Sequence, residues 1–360
     1  MTSTAPGSRT PGPKVRRNGI TVRTAGVALH VRPRAIGVGL CVAAIASITA
    51  LVTFAVGDFP LSVPEVLETL SGRGDRISEF VVYELRMPRV LTALFVGIAF
   101  GVAGAVFQRL SRNPLGSPDI IGFTTGSATG ALVGLLLLGG GLSLAGGAIG
   151  GGLVVAALIY LLAWRDGTVR PQQLILVGVG INTALASVNG YLITRADLGD
   201  AMQAAIWLTG SLNGRGWEHV IPVAVTVAIG LPVAIVLSRP LSLLSLGDDT
   251  AGALGVPVER TRRGLLVVAV ALTAMATAAA GPVPFVALAA PQVARRLTRS
   301  PEPGLLVAGL TGAALLALAD LGAQRLFTPV TLPVGVLTGA LGGAYLAWLL
   351  FSSRRRTRRG

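Results

Sequence analysis

Gly247-Asp-Asp-Thr-Ala-Gly-Ala-Leu-Gly-Val-Pro-Val-Glu-Arg-Thr-Arg-Arg263 is a short charged island between two long apolar runs. Asp248 or Asp249 suits a helix N-cap, where a carboxylate meets free backbone N–H groups and the positive end of the helix dipole. Gly255 is a natural stop, because glycine takes the left-handed conformation after a helix at little cost. Pro257 suits the first turn of a second short helix, whose amide there is unpaired in any case. The stretch therefore reads as two short helices folded at Gly255-Val256, with Ala251, Leu254 and Val256 exposed. Between two membrane spans such a knuckle is a docking element for a partner; an ordinary interhelical loop has the same composition.

The reading depends on the flanking runs being spans, and composition makes them so. The 360 residues are 52% hydrophobic and 13% charged, with a mean hydropathy of +0.71. Soluble domains carry about 25% charged residues, and apolar runs of about 20 residues fit a bilayer. With 48 glycines, helices can approach closely through small-residue faces. The net charge of +14 does not point to nucleic acid, because the basic residues lie at the ends of apolar runs, as topology signals and contacts for anionic lipid headgroups. One cysteine, Cys41, excludes an intrachain disulfide. The two histidines, His30 and His219, cannot assemble a usual zinc or haem site. The only lysine, Lys14, follows Pro13, so the Gly-Lys-Ser/Thr of a nucleotide-hydrolysing P-loop is missing.

Residues 1–34, rich in Pro, Gly, Ser, Thr and Arg, read as a disordered basic tail. Ten apolar runs follow, at about 35–57, 88–109, 119–138, 142–163, 172–194, 218–238, 264–281, 283–298, 304–325 and 332–352, and residues 353–360 form a second basic tail. The first run lacks a convincing cleavage site and reads as a span rather than a secretory signal. Gly281-Pro-Val-Pro284 predicts a tight turn between the seventh and eighth runs. With both ends in the cytoplasm, 23 of the 30 basic residues fall inside and seven outside, as the positive-inside rule requires. Outside, residues 58–87 contain an amphipathic turn around Val66, Leu67 and Leu70. A helical stretch falls near Met202–Thr209, and Trp207 and Trp217 are expected at headgroup level.

Few residues within the spans can carry chemistry. Asp320 stands out as an acid inside a proposed span, which by default suggests a proton or ion site. It lies near the outer end, within reach of Gln324 and Arg325, which suits a structural role. Asn182 and Asn189 are seven apart on one face of the fifth span; they either line a wet path or hydrogen-bond between helices. Arg86-Met-Pro-Arg89 opens the second span from outside, with Pro88 at the helix start. Its arginines suit either carboxylates on a docking protein or lipid phosphate. The inventory is too thin for general acid–base or metal catalysis, which counts against a membrane-embedded enzyme.

Several motifs together resemble one family. Arg86-Met-Pro-Arg89-Val-Leu, Gly104-Ala-Val-Phe-Gln108, Arg112-Asn-Pro-Leu-Gly116, Gly247–Val256, Ala280-Gly-Pro-Val-Pro-Phe-Val-Ala-Leu288, Ala319-Asp-Leu321 and Leu332-Pro-Val-Gly335 are similar, in order, to the iron-siderophore and vitamin B12 permeases of type II ABC importers. The resemblance spans about residues 35–352. It implies an all-α integral membrane bundle of ten transmembrane helices in a bacterial cell membrane, paired with a second permease subunit, like or unlike. Cytoplasmic ATP-binding subunits would hold ATP and magnesium, leaving no cofactor in this chain, and an extracytoplasmic binding protein would deliver cargo. By the same resemblance, Asp248, Thr250, Ala251, Leu254, Gly255 and Val256 couple to the ATPase, while Arg86 and Arg89 dock the binding protein. The family's third docking arginine falls at Gln324 here; Arg325 follows one residue later, about 100° around the helix. Ala289-Ala-Pro-Gln-Val-Ala-Arg-Arg-Leu-Thr-Arg-Ser300 resembles permeases for ferric enterobactin and related siderophores, favouring a ferric siderophore over B12 or haem. Asn182 and Asn189 would then line the path. The rival class is an ion-gradient-driven secondary transporter, which calls for several buried ionisable groups in the spans.

Overall fold

The computed structural model describes residues 20–357 except 25, 26, 32, 58, 139–141, 166, 167, 170, 328 and 329. Ten helices fall on the ten apolar runs: Pro33–Ala55, Met87–Leu110, Phe123–Leu138, Leu142–Ala163, Pro171–Arg195, Trp217–Val236, Val258–Ala280, Val286–Thr298, Leu305–Arg325 and Val334–Thr357, here spans 1 to 10. Among the described residues seven helices are long and apolar enough to cross a bilayer, and spans 3 and 10 are shorter apolar helices. Span 8, at 13 residues, rises only about 20 Å against a hydrocarbon core of about 30 Å. The extended segment before it covers the difference.

That segment is Gly281-Pro-Val-Pro284, and it is drawn out rather than tightly turned as expected. Gly281 takes φ +74° and Phe285 φ +67°, while the two prolines hold extended geometry on themselves and on the residues before them. Irregular backbone at membrane depth survives only where protein satisfies it. Here the Ser211 N–H donates to Ala280 O (2.8 Å) and the Gly335 N–H to Gly210 O (3.0 Å). A Cβ on Gly281 would lie 2.6 Å from Trp207 O. The turn after Leu198–Leu208 thus plugs the gap between spans 7 and 10. Trp207, expected at headgroup level, is buried against Ala128, Ala131, Ala148 and Ala278 instead, because this turn dips into the bundle.

Span 2 is the axis of the bundle. Val96, Ala99, Phe100, Val102, Ala103, Ala105 and Val106 are fully buried. Gly97 and Gly101 meet span 9 so closely that a Cβ on Gly97 would stand 2.5 Å from Gly312 O. Spans 3 and 4 pair in the same way through Gly126 and Gly130 against Gly147 and Gly151. Lipid cannot drive helices together by the hydrophobic effect, so such small-residue contacts carry the packing.

Span 2 also starts earlier than Pro88. Arg76–Glu79 and the π-helical Phe80–Arg86 run directly into Met87–Leu110. In a π-helix each N–H reaches back five residues, as Met87 N does to Val82 O. Pro88 has no N–H to offer Tyr83 O, and the Trp217 indole donates to that carbonyl instead, at 3.2 Å.

The remaining differences lie at the edges. Helix Val63–Leu70 opens on a Ser62–Glu65 capping box and buries Val66 against Phe54, Val81, Val82 and Val90. In the tail expected to be disordered, Ile20–Thr24 and Val27–Val31 pair as an antiparallel hairpin, in keeping with their alternating β-branched residues; residues 1–19 lie outside those described. Span 1 begins at Pro33, two residues before the expected boundary. Span 10 runs through the basic segment to Thr357, and residues 358–360 of the second tail again lie outside those described. Arg34 Nε donates to Leu297 O at 3.0 Å, so the start of span 1 and the end of span 8 share one face, here called terminal; the opposite face is distal.

Candidate functional site

The island of residues 247–263 forms one short helix, not two. Asp248–Ala253 is closed by Gly255 at φ +82°, with the Val256 N–H on Ala251 O (3.0 Å) and the Gly255 N–H on Gly252 O (2.9 Å). This paired bonding is the Schellman stop that a glycine at this position permits. The expected second short helix is instead the first turn of span 7, which starts at Val258 with Pro257 as its cap. The N-cap is Gly247, at φ +117°, and Asp248 occupies the first turn. Thr250 and Leu254 are exposed and Val256 is half-buried, but Ala251, expected outside, is fully buried.

The carboxylate of Asp248 turns back into the protein. Its Oδ1 accepts from Arg112 Nη2 and its Oδ2 from Arg262 Nη2, both at 2.7 Å. Arg262 also donates to Glu259 Oε1 at 2.5 Å. Arg112 comes from the loop after span 2, takes φ +49°, and further donates to Leu244 O at 2.9 Å. One aspartate therefore ties the exposed helix to the loop after span 2 and to span 7. Arg112 was legible only as part of a motif, and neither Arg262 nor Glu259 carried a sequence signal for this role.

At the distal face, Arg89 is engaged within the chain. Its Nε and Nη2 grip Asp320 Oδ2 and Oδ1 at 2.9 and 2.8 Å, and Gln324 Nε2 adds a bond to Oδ2 at 2.8 Å. This is the bidentate fork that suits guanidinium and carboxylate. Asp320, expected beside Gln324 and Arg325, thus has its charge partner on span 2 and serves the packing of spans 2 and 9. The Arg86 guanidinium donates to the carbonyls of Phe54 and Phe59, clasping the end of span 1 and the segment beyond it. Arg325, half-buried, closes span 9 five residues beyond Asp320.

Asn182 and Asn189 are not equivalent. Asn182 Oδ1 accepts from Thr125 Oγ1 at 2.5 Å, joining span 5 to span 3, whereas Asn189 is buried with an Oδ1 that makes no hydrogen bond. The uncovered side of span 5 presents Thr183, Ser187 and Tyr191. Thr125 in turn lines an open cavity of about 390 Å³ whose wall also includes Asp119, Thr124, Thr209, Pro282–Pro284 and Val336. Its wall is shared by the start of span 3, the turn after Leu198–Leu208, the extended segment before span 8 and the start of span 10. Asp119, one residue into a helical turn before span 3, was missed as an acid at membrane depth. Its Oδ1 is buried without a hydrogen bond; the sequence signal was its place directly after Pro118 at a helix start. Among the described residues no cluster of three His, Cys, Asp or Glu side chains is suited to a metal ion.

The FecCD transport family model matches residues 44–352. The chain is 48% identical over 301 residues to the ferric enterobactin transport system permease protein FepG of Escherichia coli (strain K12), covering 83% of this chain and 91% of that one. It is 42% identical over 279 residues to the Fe(3+) dicitrate transport system permease protein FecD of the same strain, covering 76% and 86%. Among solved structures, an inward-facing metal-chelate type ABC transporter superposes with a TM-score of 0.79 at 28% identity, over 88% of this chain and 99% of that one.

Proposed function

The chain belongs to the FecCD transport family, and from this we infer that it is the membrane-spanning permease subunit of an ABC importer that takes up ferric siderophores. Its terminal face is cytoplasmic and carries the Asp248–Ala253 helix as the contact for ATP-binding subunits, which hold the ATP and magnesium. Thr250 and Leu254 meet the ATPase. Gly255 and Val256 shape the stop, Ala251 anchors it, and Asp248 passes its movement to the spans. An extracytoplasmic siderophore-binding protein docks on the distal face, which Arg86 and Arg89 organise from within and where Arg325 lies. A second permease subunit faces span 5.

Cargo enters between the two subunits and passes the cavity walled by Thr125 and Pro282–Pro284, beside Asn182 and Asn189. The observation that carries this reading is the tethered, exposed helix: a bundle without a P-loop presents a rigid handle to a partner and links it directly to span 7. Radiolabelled-iron uptake by a deletion strain complemented with this gene, across a panel of ferric siderophores, tests the assignment. Uptake should need the ATP-binding subunits and persist when ion gradients are collapsed with ATP held constant. Uptake by the purified chain in vesicles without any ATPase would overturn it.

A further inference from the structure

A second cavity, of about 310 Å³, opens where spans 3, 4, 5 and 7 diverge, away from the path just described. Phe123, Ala157, Leu174, Leu266 and Val270 give it apolar walls. Its rim residues Leu153 and Val267 are exposed, so the cleft opens sideways between spans 4 and 7 onto an apolar surface. At its terminal-face end, two polar groups stand over these walls. The Tyr160 hydroxyl is buried and makes no hydrogen bond. The exposed Arg263 guanidinium lies 5.6 Å from the Trp164 ring centroid, and among the described residues its hydrogen bond is from Nε, to Glu259 O at 3.3 Å. Tyr160 packs edge-on to Trp164 at 5.4 Å, so the two aromatics and the arginine form one cluster at the end of span 4. An orphaned hydroxyl and an exposed cation with no carboxylate partner among the described residues, above a greasy slot, call for an amphiphile with an anionic head.

We propose that this cleft binds an anionic phospholipid of the cytoplasmic leaflet, with one acyl chain between spans 4 and 7 and its phosphate on Arg263 and the Tyr160 hydroxyl. Tryptophan and tyrosine belong at headgroup depth, and basic pockets between spans on the cytoplasmic side hold anionic headgroups. A free phosphate would have no use for the apolar walls. Arg263 neighbours Arg262, whose pairing with Asp248 fixes the exposed helix, so an occupied cleft steadies the start of span 7. The leaflet rests on the orientation given above; the cleft itself does not.

The test uses the full-length chain purified in detergent with its co-expressed partner subunits, delipidated and titrated with phosphatidylglycerol or phosphatidylcholine under native mass spectrometry. Wild type should retain one phosphatidylglycerol per chain in preference to phosphatidylcholine. Arg263→Gln should lower phosphatidylglycerol retention about tenfold and leave phosphatidylcholine unchanged, Arg263→Lys should restore most of it, and Tyr160→Phe should fall between. Ala157→Phe should displace both lipids. Equal phosphatidylglycerol retention by wild type and Arg263→Gln, or full competition by inorganic phosphate, would overturn the proposal. Lipid retention is read whether or not the complex imports iron, so failure of the transport assignment would show separately.

Discussion

Asp248→Asn is the sharpest probe of how movement at the exposed helix reaches the spans. The substitution keeps the shape and removes the charge shared by Arg112 and Arg262. The Arg112 pair is exposed on both sides, at 41% and 42%, and is worth about 0.2–1 kcal/mol. The Arg262 side chain is only 5% exposed, and a hydrogen bond to a charged group there is worth about 1.5–3 kcal/mol. Glu259 remains as a second partner for Arg262, so the lower end applies. Together the loss is about 2 kcal/mol, which shifts the ratio of tethered to untethered helix by roughly 30-fold. In vesicles carrying the complete importer, ATP hydrolysis should persist while ferric siderophore imported per ATP falls tenfold or more. Asp249 is the internal control: it is adjacent, equally acidic, and exposed, so Asp249→Asn should leave the ratio unchanged. If the two variants import equally per ATP, the tether is not the link and the argument fails.

Three further outcomes follow from the same geometry. Arg89→Ala strands the carboxylate of Asp320, which is 3% exposed; it should cost about 3–5 kcal/mol of subunit stability in denaturant titration, even without the binding protein, whereas a pure docking residue would change affinity alone. Gly312→Leu must force spans 2 and 9 apart, because even a Cβ there overlaps Gly97 O, and should abolish assembly on size exclusion, while Gly343→Ala, with open space at its Cβ, should be tolerated. The distal carboxyls of Asp75 and Glu65 are held below the usual carboxylate range by hydrogen bonds from Ser78 and Ser62. Depressed acids stabilise the fold above their unfolded values and lose that effect as pH falls through the folded ones. Protection of the Ser62 and Ser78 amides, which donate to these carboxylates, measured relative to the intrinsic exchange rate at each pH, should therefore hold at pH 6 and fall below about pH 4.

The sequence by itself determined the ten spans, the break at Gly281–Pro284 and the stop at Gly255. Each rests on interactions within about 20 residues: hydropathy against bilayer thickness, the missing N–H of proline, the left-handed freedom of glycine. Only the tertiary structure decided who pairs with whom. Asp320 was legible as an acid in a span, yet its partner, Arg89, is 231 residues away; Asp248 looked like a contact for another protein, yet it holds Arg112, 136 residues away. Ala251 turned inward, and Trp207 sank among alanines of spans 3, 4 and 7 that are distant along the chain. Facing and depth are fixed by how closely glycine-rich helices such as spans 2 and 9 approach, and that contact has no local signature along the chain.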